Sequence, residues 1–178
     1  ILYPKNFFDL NIQDLLLNTL LLVALSSVVL IIFSFISNYG TRVNKSRFLN
    51  FLTTISISGY ALPGVILALA YISFVAWFDN TIIHYFELQS VKKIFIGSIL
   101  GLVIAYFVRF YSLSCNGIKS SYEKINKTLD ETAYLSGYSK LKTFLNIHVP
   151  YLKSSIFFVT ILISLEIIRE LPITLILR

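Results

Sequence analysis

The chain has no methionine, one cysteine and one tryptophan, and only 13% of its residues are charged. Each scarcity removes a possibility. With Cys115 alone, an internal disulfide framework is excluded, and a free, buried thiol is the expected state. The low charged fraction, beside 56% hydrophobic residues and a mean hydropathy of +0.78, is far from the roughly 25% charged residues of soluble domains. It points to an integral membrane protein. No Ser-His-Asp or Cys-His set stands at an interpretable spacing, and no G-x-x-x-x-G-K-[ST] loop is present to cradle phosphates. The chain is therefore not expected to be an enzyme or to hydrolyse ATP. His84 and His148 stand apart from cysteine and from paired carboxylates, so no metal ligand is assigned and no bound cofactor is expected. The net charge of +6 comes without the aromatic-basic pattern of nucleic-acid binding, and the cations cluster beside apolar runs. Methionine is missing even at position 1, and residues 3–11 are polar without a signal-peptide pattern. An internal segment of a longer protein, truncated at both ends, is expected.

Uncharged length is what the chain has in abundance. Residues 15–41 carry no charge and exceed the roughly 20 residues needed to cross a hydrocarbon core of about 30 Å, so a first span is expected over about 15–38. Residues 48–78 form a second uncharged run, longer than one crossing needs. Its first turns are expected at the interface and the span proper at about 53–78, with Tyr71 and Trp77 toward the far end, where interfacial aromatics are favoured. The polar stretch 79–93, with interspersed apolar residues, suggests a short surface helix. A third span is expected over about 94–114, with Arg109 reaching out to the headgroups and Gly97 and Gly101 forming a G-x-x-x-G pattern for close packing. The fourth, about 152–171, has twelve uncharged residues, 154–165, before Glu166, Arg169 and Glu170. A charge at the centre of a span costs about 2.5–3.5 kcal/mol. Glu166 and Arg169, three residues apart on one helical face, are expected to neutralise each other. The fold class is all-α integral membrane, a polytopic helical bundle of four spans within one domain, 1–178.

A polar segment, about 116–150, separates the third and fourth spans. Thr128-Leu129-Asp130-Glu131 reads as a capping box, Thr128 accepting from the backbone N–H three residues on and Glu131 reaching back. Gly137 can take the left-handed conformation that ends a helix, so that Ser139 or Lys140 opens a second one, which Pro150 is expected to close. Ala133 and Gly137, four residues apart, offer a small-residue face that another surface can approach. Residues 109–153 and the link at 42–47 hold ten of the 15 basic residues, while the other side has Lys5, Lys92 and Lys93 near Asp9, Asp14, Asp79 and Glu87. The positive-inside rule then puts the polar segment in the cytoplasm.

Within that segment Glu131, Thr132, Ala133, Gly137, Ile147, Val149 and Pro150 stand in the register E-T-A-x3-G-x9-I-x-V-P. This closely resembles the EAA signature, E-A-A-x3-G-x9-I-x-L-P, of the permease subunits of type I binding-protein-dependent ABC importers. Thr132 and Val149 are the departures. The resemblance implies a loop that docks on a separate ATPase, with Thr128, Glu131, Ala133, Gly137, Ile147 and Pro150 as coupling residues. It also implies two ATPase subunits, which bind the ATP and Mg, a second permease half, fused or separate, and an extracytoplasmic solute-binding protein. The four spans would belong to a five-span core in a bacterial cytoplasmic membrane.

Residues 60–68, Y-A-L-P-G-V-I-L-A, and 169–178, R-E-L-P-I-T-L-I-L-R, look like the A-x-P-G and K/R-E-L-P-x-T-L-x-L-R segments of ferric-iron importer permeases. Ferric iron is accordingly the expected solute, and Tyr60, Pro63, Gly64, Glu170, Pro172 and Thr174 are the candidates for a translocation path or gate. Pro63 removes a backbone donor and Gly64 adds freedom, which predicts a kinked span, either lining the pathway or kinked for packing alone. Glu170, at an expected helix break before Pro172, is expected to face an aqueous cavity and act on a cationic solute. Thiamine and other small-solute permeases share a similar Pro-Gly stretch and form the alternative. A non-transporting membrane scaffold and a secondary transporter are the competing classes, and neither predicts the E-T-A register.

Overall fold

The computed structural model describes residues 12–43, 54, 58–85, 95 and 97–177, and every regular element among them is helical. Helix is what a greasy chain must adopt where no water satisfies its backbone, because each N–H then bonds within its own segment. The elements are α1 (Ile12–Val43), a 3₁₀ turn (Ser58–Ala61), α2 (Gly64–Tyr85), α3 (Ile99–Tyr122), α4 (Thr128–Leu135), α5 (Lys140–Thr143), a π turn (Phe144–His148), α6 (Val149–Arg169) and α7 (Leu171–Leu177). Among the described residues, four stretches are long and apolar enough to cross a membrane: Leu16–Val43, Gly64–Ile82, Ile99–Tyr122 and Lys140–Arg169. The architecture is that of an all-α polytopic membrane protein.

Helix α3 is the hub, touching α1, α6, α7, the 3₁₀ turn and α2, while α2 leans mainly on α7. Its core includes Ala105, Tyr106 and Phe110, packed with Leu30 of α1, Ile163 of α6 and Ile173 of α7. A second cluster, Phe35, Ile118, Tyr122, Ile125 and Leu152, closes the end that carries α4 and α5. The α1 stripe facing this core is small and polar, with Ser26, Ser27, Ser34 and Asn38 buried. Small side chains let helices approach closely, and in an apolar surround their polar atoms bond across the seam. Ser27 and Ser164 meet at 3.2 Å, Ser114 donates to the Leu30 carbonyl at 3.2 Å, and Asn38 Nδ2 donates to the carbonyls of Ser34 and Cys115.

These cross-helix bonds explain one departure from expectation. The third span was expected over about 94–114, whereas α3 runs from Ile99 to Tyr122, the polar groups at Ser114 and Cys115 facing α1. Helix α2 begins at Gly64 and runs through Tyr85, so residues 79–85 prolong it instead of forming a separate surface helix. The Asp79 carboxylate accepts from the Phe95 N–H at 3.2 Å. Gly97 and Gly101 do not form a helix seam: Gly97 turns with φ 75° ahead of α3, and Gly101 lies in its first turn against the Phe95 carbonyl. Readings that concerned residues 3–11, Lys45, Arg47, 55–57 and 86–94, and the side chain of His84, lie outside the described residues.

Candidate functional site

The polar segment folds as two short helices joined by a tight turn. Helix α4 starts one step earlier than a Thr128 cap would have it: Lys127 is already helical, and the Asn126 side chain accepts from the Thr128 N–H at 3.3 Å. The Thr128–Glu131 capping box is therefore not formed, and Glu131 stays exposed. At the other end Gly137 has φ 80°. Its N–H bonds to the Tyr134 carbonyl and the Tyr138 N–H to the Ala133 carbonyl, the paired bonds of a Schellman turn. Ser139 then caps α5, its hydroxyl accepting from Lys142 N at 3.3 Å. Ala133 is buried within the chain and Gly137 exposed, so the small-residue pair does not form one outward face. Ile147 is half-buried in the π turn and Pro150 is exposed.

Pro150 does not close a helix. Lys140–Arg169 is helical throughout, and the widened turn Phe144–His148 stands immediately before Val149 and Pro150. Proline lacks an N–H, and in an α-helix its ring presses on the carbonyl four residues back. A π turn, with bonds to the residue five back, relieves that pressure without ending the helix.

Three residues that the sequence left unconnected fasten this loop to the bundle. Arg42, in the last turn of α1, donates from Nε to Asp130 Oδ2 at 2.7 Å, and from its terminal nitrogens to the carbonyls of Tyr122, Ile125 and Asn126. It thereby caps the end of α3, where a cation is favoured, while holding α4. The other Asp130 oxygen lies 2.8 Å from His148 Nε2. His148 is thus not isolated. It is fully buried, with ring centroids 5.2 Å from Tyr39 and 5.4 Å from Tyr122. The Tyr39 hydroxyl donates to the Lys140 carbonyl.

Deeper in the bundle, two helix breaks meet at an ion pair. The chain leaves the 3₁₀ turn through Leu62 and Pro63 and enters α2 at Gly64, while α6 ends at Glu170 and α7 starts at Leu171. Arg109 Nε donates to Glu170 Oε2 at 3.0 Å, and its Nη1 donates to the Leu62 carbonyl at 2.6 Å. Arg109 lies ten residues into the 24 of α3, about 15 Å from its start at 1.5 Å per residue. It therefore does not extend to the headgroups, and Glu170, with a side chain only 10% exposed, is an ion-pair partner instead of a free carboxylate facing a cavity. The expected Glu166–Arg169 pair is absent among the described residues, and Arg169 is exposed.

Glycine at 64 leaves room for the carboxylate, since a Cβ there would lie 2.3 Å from Glu170 Oε1 and that side chain would have to shift. Thr174 Oγ1 donates to the Glu170 carbonyl and meets the Tyr106 hydroxyl at 2.6 Å. Pro172 is half-buried in the first turn of α7, where its missing N–H is harmless. Tyr60 is exposed on the 3₁₀ turn. Gly64, Glu170 and Thr174 thus come together, joined by Arg109 and Tyr106, neither of which was among the candidates for a path or gate. Tyr106 and Thr174 also line a cavity of about 340 Å³ between α1, α3, α6 and α7, with Asn18, Thr19 and Ser98 as further polar lining.

Fold and site define a class: a polytopic helical membrane protein with an ion-paired helix break inside its bundle and a polar two-helix loop fastened to one end. Over residues 30–177 the chain matches the family model described as binding-protein-dependent transport system inner membrane component. The chain belongs to that family, and is a transport permease whose system includes a separate binding protein. Neither the curated proteins nor the solved structures gave a match.

Proposed function

We propose that this permease belongs to an ABC importer for ferric iron and that the α4–α5 loop is its coupling element. The observation that carries the coupling reading is the E-T-A-x3-G-x9-I-x-V-P register on a loop clasped by Arg42, Asp130 and His148. A surface pulled by a partner must transmit force to the bundle, and such a clasp provides for that. Leu135, Leu141 and Leu145 are 87%, 68% and 53% exposed, apolar area suited to a docking partner. In this reading the loop lies in the cytoplasm of a bacterial cell. Two ATPase subunits close on ATP and Mg and draw two such loops together, switching a pair of permease halves from inward-open to outward-open. An external binding protein then releases its solute into the cavity.

Thr128, Glu131, Ala133, Gly137, Ile147 and Pro150 are the proposed coupling residues, and Tyr60, Pro63, Gly64, Glu170, Pro172 and Thr174 the proposed path or gate. Iron rests on the likeness of residues 60–68 and 169–178 to ferric-iron permeases, with thiamine or another small solute as the second reading. The test is ATP-dependent uptake of labelled ferric iron by the complete permease with its ATPase and binding protein, native against Gly137→Pro at matched expression. Iron uptake that collapses in the variant supports both solute and coupling. No uptake by the native complex removes iron, and uptake indifferent to the substitution removes the coupling role.

A further inference from the structure

The long helices fall into two groups. Helices α1, α3 and α6 pack closely on one another, whereas α2 leans mainly on α7 and touches α3 much less. Hydrogen bonds reinforce the first group: Ser27 meets Ser164, Ser114 reaches the Leu30 carbonyl, and Asn38 the Cys115 carbonyl. The second group starts at the ion pair. Gly64 opens α2 and Leu171 opens α7, and Arg109 holds the Leu62 carbonyl before one break and the Glu170 carboxylate at the other. Both helices thus spring from one point on α3.

From that point they run back along α3 toward its first turn. Thr174, on α7, meets the Tyr106 hydroxyl at 2.6 Å, and the Tyr71 hydroxyl, on α2, donates to the Gly101 carbonyl at 2.8 Å. At 1.5 Å per residue, Tyr106 and Gly101 stand about 5 and 12 Å from Arg109 along α3. Leu67, Ala68, Ile173 and Leu177 share the buried core with α3, but in a bilayer lipid tails replace such apolar contacts at little cost, while a hydroxyl torn from its acceptor finds few substitutes. The hydroxyl ties therefore decide how firmly α2 and α7 lie on α3. A rotation of about 10° around Arg109 displaces the Gly101 level by about 2 Å and the Tyr106 level by about 0.8 Å, so the Tyr71 bond opens first and the ion pair last. Helix α7 is also one wall of the cavity of about 340 Å³, through Leu171 and Thr174. Leu102 of α3 lines the same cavity, one turn from Tyr106 on the same face and only 7% exposed.

We propose that α2 and α7 form one leaf that swings on the Arg109 ion pair, is held shut by the Tyr71 and Tyr106 hydroxyls, and uncovers the cavity when it opens. Arg109 is then a positioning residue, the pin that makes two broken helices move as a unit. The proposal rests on the transport role that the family gives, and on neither the identity of the solute nor the coupling loop.

The test places a thiol under the leaf, by Leu102→Cys in the complete permease complex in nanodiscs, and follows its rate of modification by a charged, water-soluble thiol reagent. The native Cys115 thiol, 2% exposed and in contact with Asn38 of α1, is the reference within the α1–α3–α6 group, and peptide mass reads the two sites separately. Each neutral hydrogen bond removed should shift the opening equilibrium about fivefold. Tyr71→Phe alone should therefore speed modification at position 102 about fivefold, and Tyr71→Phe with Tyr106→Phe by about an order of magnitude or more, with Cys115 unchanged. Both variants keep their rings, and Thr174 keeps its bond to the Glu170 carbonyl, so no new cavity or stranded hydroxyl is made. A rate at position 102 that ignores the phenylalanine pair overturns the proposal. So does a Cys115 rate that rises in step with it, because the whole bundle would then be loosening.

Discussion

Replacing Gly64 by alanine tests whether the helix breaks are held by charge. The added Cβ would sit 2.3 Å from Glu170 Oε1, where ordinary contact begins at 3.4 Å, so the carboxylate must retreat by about 1 Å. Arg109 Nε and Glu170 Oε2 are 3.0 Å apart, and a retreat of that size directed away from Arg109 takes them to about 4 Å, outside hydrogen-bond range. The loss is one charge-assisted bond between groups 15% and 10% exposed, about 1.5–3 kcal/mol. That is less than the roughly 3–5 kcal/mol of removing one partner outright. Unfolding of the permease in lipid-detergent micelles measures it, in the native chain and in an Arg109→Gln/Glu170→Ala background. With both charges gone the obstruction is gone, and alanine at a helix start should be neutral or stabilising by up to about 1 kcal/mol. The cost should therefore vanish or change sign between the two backgrounds. An equal cost in both, or none in the native chain, refutes the reasoning.

Other substitutions probe the remaining contacts. Gly137→Ala places a Cβ at φ 80° and should cost about 1–2 kcal/mol by unfolding, with Gly137→Asn costing less. Arg42→Gln should loosen the loop and speed tryptic cleavage at Lys124 and Lys127 by an order of magnitude or more. Arg42→Lys should restore only part of the protection, because an ammonium lacks the fork that reaches four oxygens. Tyr106→Phe should lower stability by about 1 kcal/mol and Thr174→Val by more, since Thr174 also bonds to the Glu170 carbonyl, and the double variant should lose little more than Thr174→Val alone, which already removes the shared bond.

What could be read from the sequence was what short-range chemistry decides. Gly137 ending a helix and Ser139 opening the next involve bonds spanning at most five residues, and both stand in the structure. Four long helices were evident because uncharged length is itself the signal. Contacts between distant residues were not legible. Helical spacing pointed Glu166 to Arg169, whereas Glu170 instead pairs with Arg109, sixty-one residues away in sequence. Pro150 read as a stop because a proline ring conflicts with α geometry, and nothing local announces a π turn that accommodates it. Asp130 looked like part of a cap, and only folding sets it between Arg42 and His148. Gly64 was singled out for flexibility, but its place is fixed by the carboxylate packed against it.

The helix that continues past Pro150 joins two places that would otherwise be remote. From Lys140 to Arg169 it is thirty residues long, about 45 Å at 1.5 Å per residue, with the loop at one end and Glu170 at the other. Such a rod behaves as a lever. A tilt of about 10° around its midpoint carries each end about 4 Å in opposite directions, more than enough to separate Glu170 from Arg109. Communication between the surface loop and the buried break then needs no chain of side-chain rearrangements, only a stiff bar and a place for it to pivot. Leu152, close to that midpoint and buried in the second core cluster against α1 and α3, is one such place.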